Sequence, residues 1–110
     1  MNKELHKDIY DDLNPFIKKL IDEKPHFFHE NPNRLCHYSY VKSNWQPIFL
    51  KLLEDLEKLG EPYPTICQLK DKFDTARFYF DYPEGIDKER RKLISDLVSK
   101  AEYDATERGW

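Results

Sequence analysis

The sequence predicts an α+β fold in which an antiparallel β-hairpin, over about residues 65–70 and 76–82, packs against three to four helices. Three observations carry this expectation. Ala76, Phe78, Phe80 and Tyr82 alternate with Arg77, Tyr79 and Asp81, the period-two pattern of a strand with one face to bury. Ile48, Phe49, Leu52, Leu53, Leu56 and Leu59 recur at helical spacing and stop at Gly60, a natural left-handed terminator. After Pro83-Glu84-Gly85, Asp87 offers a cap to a last helix carrying Ile86, Leu93, Ile94, Leu97, Val98 and Ala101 on one side, a face suited to covering the hairpin.

Ahead of these, Leu5, Ile9, Leu13, Phe16 and Leu20 recur at steps of four or three, one helical face interrupted by Pro15. A proline ring disrupts a helix interior but suits its first position, so Asn14 as cap and Pro15 behind it start a second segment with a break between. From Lys24 to Val41 the periodicity dissolves among prolines, asparagines, aromatics and three of the four histidines, which predicts an ordered loop because aromatics are costly to leave in water. Asn44-Trp45-Gln46-Pro47 then supplies a cap and an early proline. Glu61-Pro62-Tyr63-Pro64 ends that helix region, and Thr65 to Lys70 reads as the first strand. The short connection Asp71-Lys72-Phe73-Asp74-Thr75 makes the two strands a hairpin. Two strands alone are marginal, so helices on the apolar face, or a third strand from the loop or from a second subunit, are expected.

The 110 residues suit a single domain over 1–110, with two Trp, seven Tyr and seven Phe to build a core without a disulfide scaffold. Charged residues make up 35% of the chain in closely mixed signs, and the net charge is −3, which argues for solvated faces and against a broad phosphate-binding surface. No run approaches the length of a membrane span, and Met1 to His6 lacks the apolar core of a signal peptide. A cytoplasmic location follows as the expectation, with Cys36 and Cys67 reduced and acting as small buried apolar residues.

Candidate chemistry is sparse. His26, His29, Cys36 and His37 form the one cluster of zinc-ligand types, but a single His-x-x-His beside one cysteine lacks the paired tight turns of a structural zinc site, and surface or aromatic-packed histidines are the reading preferred. Cys36 beside His37 suggests a thiolate pair, although sequence neighbours seldom face each other. Asp8, Asp11 and Asp12, or Asp71 and Asp74, are paired carboxylates of the kind that also line solvated helices and turns. Three glycines leave no phosphate loop. No cofactor or metal is therefore expected. Lys70, Lys72, Arg77, Tyr79 and Asp81 on the hairpin stand out instead, since aromatics interleaved with cations suit either stacked single-stranded bases or a protein interface.

The residues Cys36, Trp45, Pro47, Ile48, Leu53 and Leu56, then Gln68-Leu69-Lys70-Asp71-Lys72-Phe73 and Arg77-Phe78-Tyr79, resemble a family of small uncharacterised proteins, many of them phage- or prophage-encoded. The family pattern has a cysteine, a Gly-Trp helix start, an Ile/Leu helix, and a Gln-x-Lys-(Glu/Asp)-Lys-Phe-Gly then Leu-Arg-Phe-Tyr hairpin. Here Asn44 and Asp74 stand at two of its glycines, Thr75-Ala76 precedes Arg77 where glycine and leucine are common, and the C-terminal Cys-x-x-Cys of many members is missing. Asp tolerates the left-handed conformation the turn requires. The resemblance implies a mobile-element origin. Together with the want of a catalytic constellation, it leads to the expectation of a non-enzymatic, protein-binding modulator, in its sharpest form an inhibitor of a host defence machine such as an anti-CRISPR protein. An immunity-type protein neutralising a toxin, a single-stranded nucleic-acid module and a small hydrolase are the alternatives. The chain is expected as a monomer or homodimer, the latter through an exposed hairpin edge and Trp110.

Overall fold

A computed structural model describes residues 14–31, 34–36 and 38–108. The first predicted segment, with Leu5, Ile9 and Leu13, lies outside them, as do Asp8, Asp11, Asp12, His37 and Trp110. Helix α1 spans Pro15–Glu23, α2 Gln46–Leu59 and α3 Lys88–Arg108, and strands β1, Thr65–Lys72, and β2, Thr75–Asp81, form one antiparallel sheet. This is the α+β fold expected, with the hairpin packed on helices.

Local chemistry explains most element ends. Asn14 caps α1 through its side-chain oxygen, which accepts from the Phe16 N–H at 2.9 Å, and Pro15 occupies the first turn, where its missing N–H costs nothing. Gly60 ends α2 at φ 83°, and Asp87 caps α3 by accepting from the Arg90 N–H at 2.8 Å. Arg90 also donates its guanidinium to the Leu59 carbonyl at 2.8 Å and to that of Gly60. One cation thus satisfies the C-terminal carbonyls of α2 and ties the start of α3 to them.

Several expectations are corrected. Asn44 does not cap α2: a short 3-10 turn, Ser43–Trp45, precedes it, and Trp45 takes the cap position without a side-chain bond. The fully buried indole of Trp45 dictates the approach, because hiding so large a ring outweighs the loss of a cap. Leu93 is 51% exposed, since the buried side of α3 is the narrower strip of Ile94, Val98, Ala101 and Ala105. Cys36 and Cys67 are half-buried rather than fully buried. The strands also run longer than predicted at their joined ends, closing on a two-residue turn at Phe73-Asp74.

The core is one cluster, centred where α2 and α3 meet the inner face of the hairpin. Phe78 from β2 is met edge-on by Phe49 at 5.0 Å and by Trp45 at 6.3 Å between ring centroids, the geometry aromatic quadrupoles favour. Phe16 brings α1 onto Phe49 at 6.4 Å. Glu57 of α2 holds the far end of α1, with Lys24 Nζ at 2.8 Å and His26 Nε2 at 2.7 Å.

Both edges of the two-stranded sheet are covered, and this corrects the expectation of an exposed edge open to a second copy. Along β1, backbone from the preceding loop lies against the strand: Cys36 N–H donates to the Cys67 carbonyl at 2.9 Å and Tyr40 N–H to that of Leu69 at 3.0 Å. Buried Ser39 accepts from the Leu69 N–H at 3.1 Å. Along β2, α3 presents Thr106 and Glu102, one helical turn apart, which accept from the Ala76 N–H at 2.9 Å and the Phe78 N–H at 2.8 Å. The third strand anticipated from the loop is thus present as edge pairing without strand geometry, which satisfies β1 donors and acceptors that would otherwise template aggregation.

Candidate binding surface

With the inner face and both edges occupied, the outer face of the hairpin is the part of the sheet left to solvent. The register places Lys70 opposite Arg77, Gln68 opposite Tyr79 and Lys72 opposite Thr75. Lys70 Nζ sits over the Tyr79 ring, 5.5 Å from its centroid, and Tyr79 is 38% exposed. Arg77 Nε donates to Thr75 Oγ1 at 3.0 Å. Four of the five residues singled out in the sequence, Lys70, Lys72, Arg77 and Tyr79, are therefore one contiguous patch. The fifth, Asp81, stands at the far end of β2 opposite Thr65, about 13 Å along the strand from Arg77 at roughly 3.3 Å per residue.

Two features of this patch run against what stability alone would select. Lys70 and Arg77 are like charges directly across a strand pair, an arrangement that costs roughly 0.2–1 kcal/mol. Among the described residues, no salt bridge neutralises Lys70, Lys72 or Arg77. At the tip, Phe73 holds φ 53° and is 87% exposed, with Lys72 Nζ 5.9 Å from its ring. A bulky aromatic in a left-handed turn position and this exposed is strained and wet at once. Sequence reasoning passed over Phe73 as part of a connection. The signal was an aromatic in a turn slot where Asn or Gly is ordinarily required.

The other candidates are dispersed. The His26 ring meets Phe27 and Tyr63 at a tilt, with centroids 4.6 and 5.0 Å away, and reaches Glu57. His29 Nδ1 accepts from the Asn31 N–H at 2.9 Å, and Cys36 Sγ lies 3.6 Å from Gln68 Nε2. Among the described residues, no group of three His, Cys, Asp or Glu side chains converges as metal ligands would. Asp71 is held by Lys42 Nζ at 3.0 Å, and this carboxylate in turn holds the lysine above its ordinary range. Asp74 lies in the turn.

A groove of about 560 Å³ runs between α2 and α3, with Pro47, Ile48, Leu52, Leu97 and Ala101 on its floor and charged residues of both signs, including Lys51, Asp55, Lys100 and Asp104, around it. Among the described residues, no helix is long and apolar enough to cross a membrane. No protein-family model, no curated protein and no solved structure matches the chain.

Proposed function

We propose that this protein is a non-enzymatic binding module that takes an acidic segment of a protein partner on the outer face of its hairpin. The observation that carries the reading is the cross-strand pair Lys70 and Arg77, whose mutual repulsion an incoming carboxylate would relieve. Exposed Phe73 and Tyr79 flank the cations as apolar anchors, and Tyr and Arg are the residue types that dominate interface energetics. Asp74 at the turn and Asp81 at the other end of β2 bound the positive patch. That short span favours a local acidic motif over the continuous basic track a nucleic-acid backbone requires.

The narrower reading, a modulator of a host defence machine, is supported by the resemblance of residues 36–79 to phage-encoded proteins.

The test is capture from a lysate, with and without nuclease treatment, by the immobilised full chain, compared with Lys70→Glu/Arg77→Glu, at low and high salt. A protein retained by the wild type, weakened by salt and lost with the charge reversal, is the expected outcome. Equal retention by the variant would remove the hairpin face from consideration. Loss of the captured material on nuclease treatment would transfer the site to single-stranded nucleic acid.

A further inference from the structure

We propose that Cys36 and Cys67 are a reversible disulfide site whose closure fastens the loop at Cys36 to the edge of β1. The two residues are remote in sequence, and the fold joins them through the 2.9 Å bond from the Cys36 N–H to the Cys67 carbonyl. This main-chain bond sets the two cysteines side by side where the loop meets the strand edge, and closure requires their Cα atoms to stand within the roughly 4.4–6.8 Å that a disulfide spans.

The register adds an independent reason. Ile66 faces Phe80 and Gln68 faces Tyr79, so Cys67 is the extra residue of a β-bulge and has no partner on β2. Bulges re-aim a side chain and free its backbone from the ladder, and here the freed carbonyl is the one Cys36 uses. The Gln68 amide nitrogen, 3.6 Å from Cys36 Sγ, places that sulfur beside the bulge. Both cysteines are half-buried, within reach of a small oxidant. Burial first, then Asp81 and Cys36 itself, push the Cys67 thiol up, with Arg34 pulling it back. The influence of one thiol on the other reflects their proximity, and a raised thiol reacts slowly with oxidants in solution, which leaves closure to a neighbour already in place.

The oxidant is a small disulfide such as oxidised glutathione. One cysteine thiolate attacks it, forming a mixed disulfide and releasing one glutathione thiolate. The second cysteine thiolate then displaces the remaining glutathione. Two protein thiols are oxidised, one glutathione disulfide is reduced to two glutathiones, and reduced glutathione in excess reverses both steps. This inference is independent of what the hairpin binds.

The experiment equilibrates the full chain in reduced and oxidised glutathione, traps free thiols by alkylation and measures intact mass, disulfide-linked peptides and amide exchange. The expected product is a monomer lighter by two hydrogens, with Cys36 and Cys67 peptides joined and with slower exchange at the Tyr40 and Leu69 amides. Its effective concentration should exceed that of the same chain in denaturing urea by roughly tenfold or more. Cys36→Ser and Cys67→Ser should each stop at one glutathione adduct. A wild type that carries two glutathiones, links two chains, or closes no more readily folded than unfolded would overturn the proposal.

Discussion

At the hairpin tip, Phe73 and Asp74 hold φ values of 53° and 62°, where a β-carbon costs roughly 1–2 kcal/mol per residue. Asp tolerates this region, so the strain falls on Phe73, and Phe73→Gly should stabilise the fold by about 1 kcal/mol, seen as a rise in Tm of roughly 4–8 °C by calorimetry. An unchanged Tm would mean that this strain is relieved by something other than conformation. Individual carboxylates impose opposite pH dependences. Lys24 first, and His26 with it, hold Glu57 below its ordinary value of 4.5. The unfolded chain then binds more protons than the folded one just below that value, so the stability Glu57 contributes is present above it and is lost as pH falls through the lowered one. Burial lifts Glu102 above 4.5, against the Phe78 N–H and Arg77, which lower it. Here the folded chain holds the extra proton, and the contribution present below the ordinary value is lost as pH rises through the raised one. Urea unfolding over about pH 3–7 should show Glu57→Gln removing part of the acid-side loss and Glu102→Gln removing part of the loss towards neutrality. The same slope in wild type and variant would exclude the residue concerned.

At the scale of elements, α3 does more than cover the sheet. Glu102 and Thr106 reach the outer edge of β2, so a helix completes the hydrogen bonding of a strand that is paired with β1 on its other side only. Burying the Phe78 amide without an acceptor costs about 1–3 kcal/mol. Glu102→Ala should accordingly destabilise the fold within that range, while Glu102→Gln, which keeps an acceptor oxygen, should cost less. Chemical denaturation of the two variants side by side checks this, and equal losses would assign the effect to packing instead. The same logic applies before α2, where the backbone of Cys36 and Tyr40 pairs with β1 and Phe27 packs on Tyr63 at 5.3 Å.

Across the whole molecule, Phe49 is where three elements converge, meeting Phe16 of α1 and Phe78 and Phe80 of β2. Phe49→Ala should cost about 3–5 kcal/mol, a large share of the 5–15 kcal/mol typical of a domain. The urea midpoint should fall steeply, and a shift below about 1 kcal/mol would place the core elsewhere. The fold class, the caps at Asn14 and Asp87, the stop at Gly60 and the hairpin were legible in the sequence alone, because each depends on the stereochemistry or periodicity of neighbouring residues. So was the alternation that puts Arg77 and Tyr79 on the outward side of β2. The cross-strand cation pair, the exposed strain at Phe73, the cover on both sheet edges and the meeting of Cys36 with Cys67 were decided by tertiary structure. Each is a contact or an exposure set by register and packing between residues remote in the chain, which local propensity does not encode.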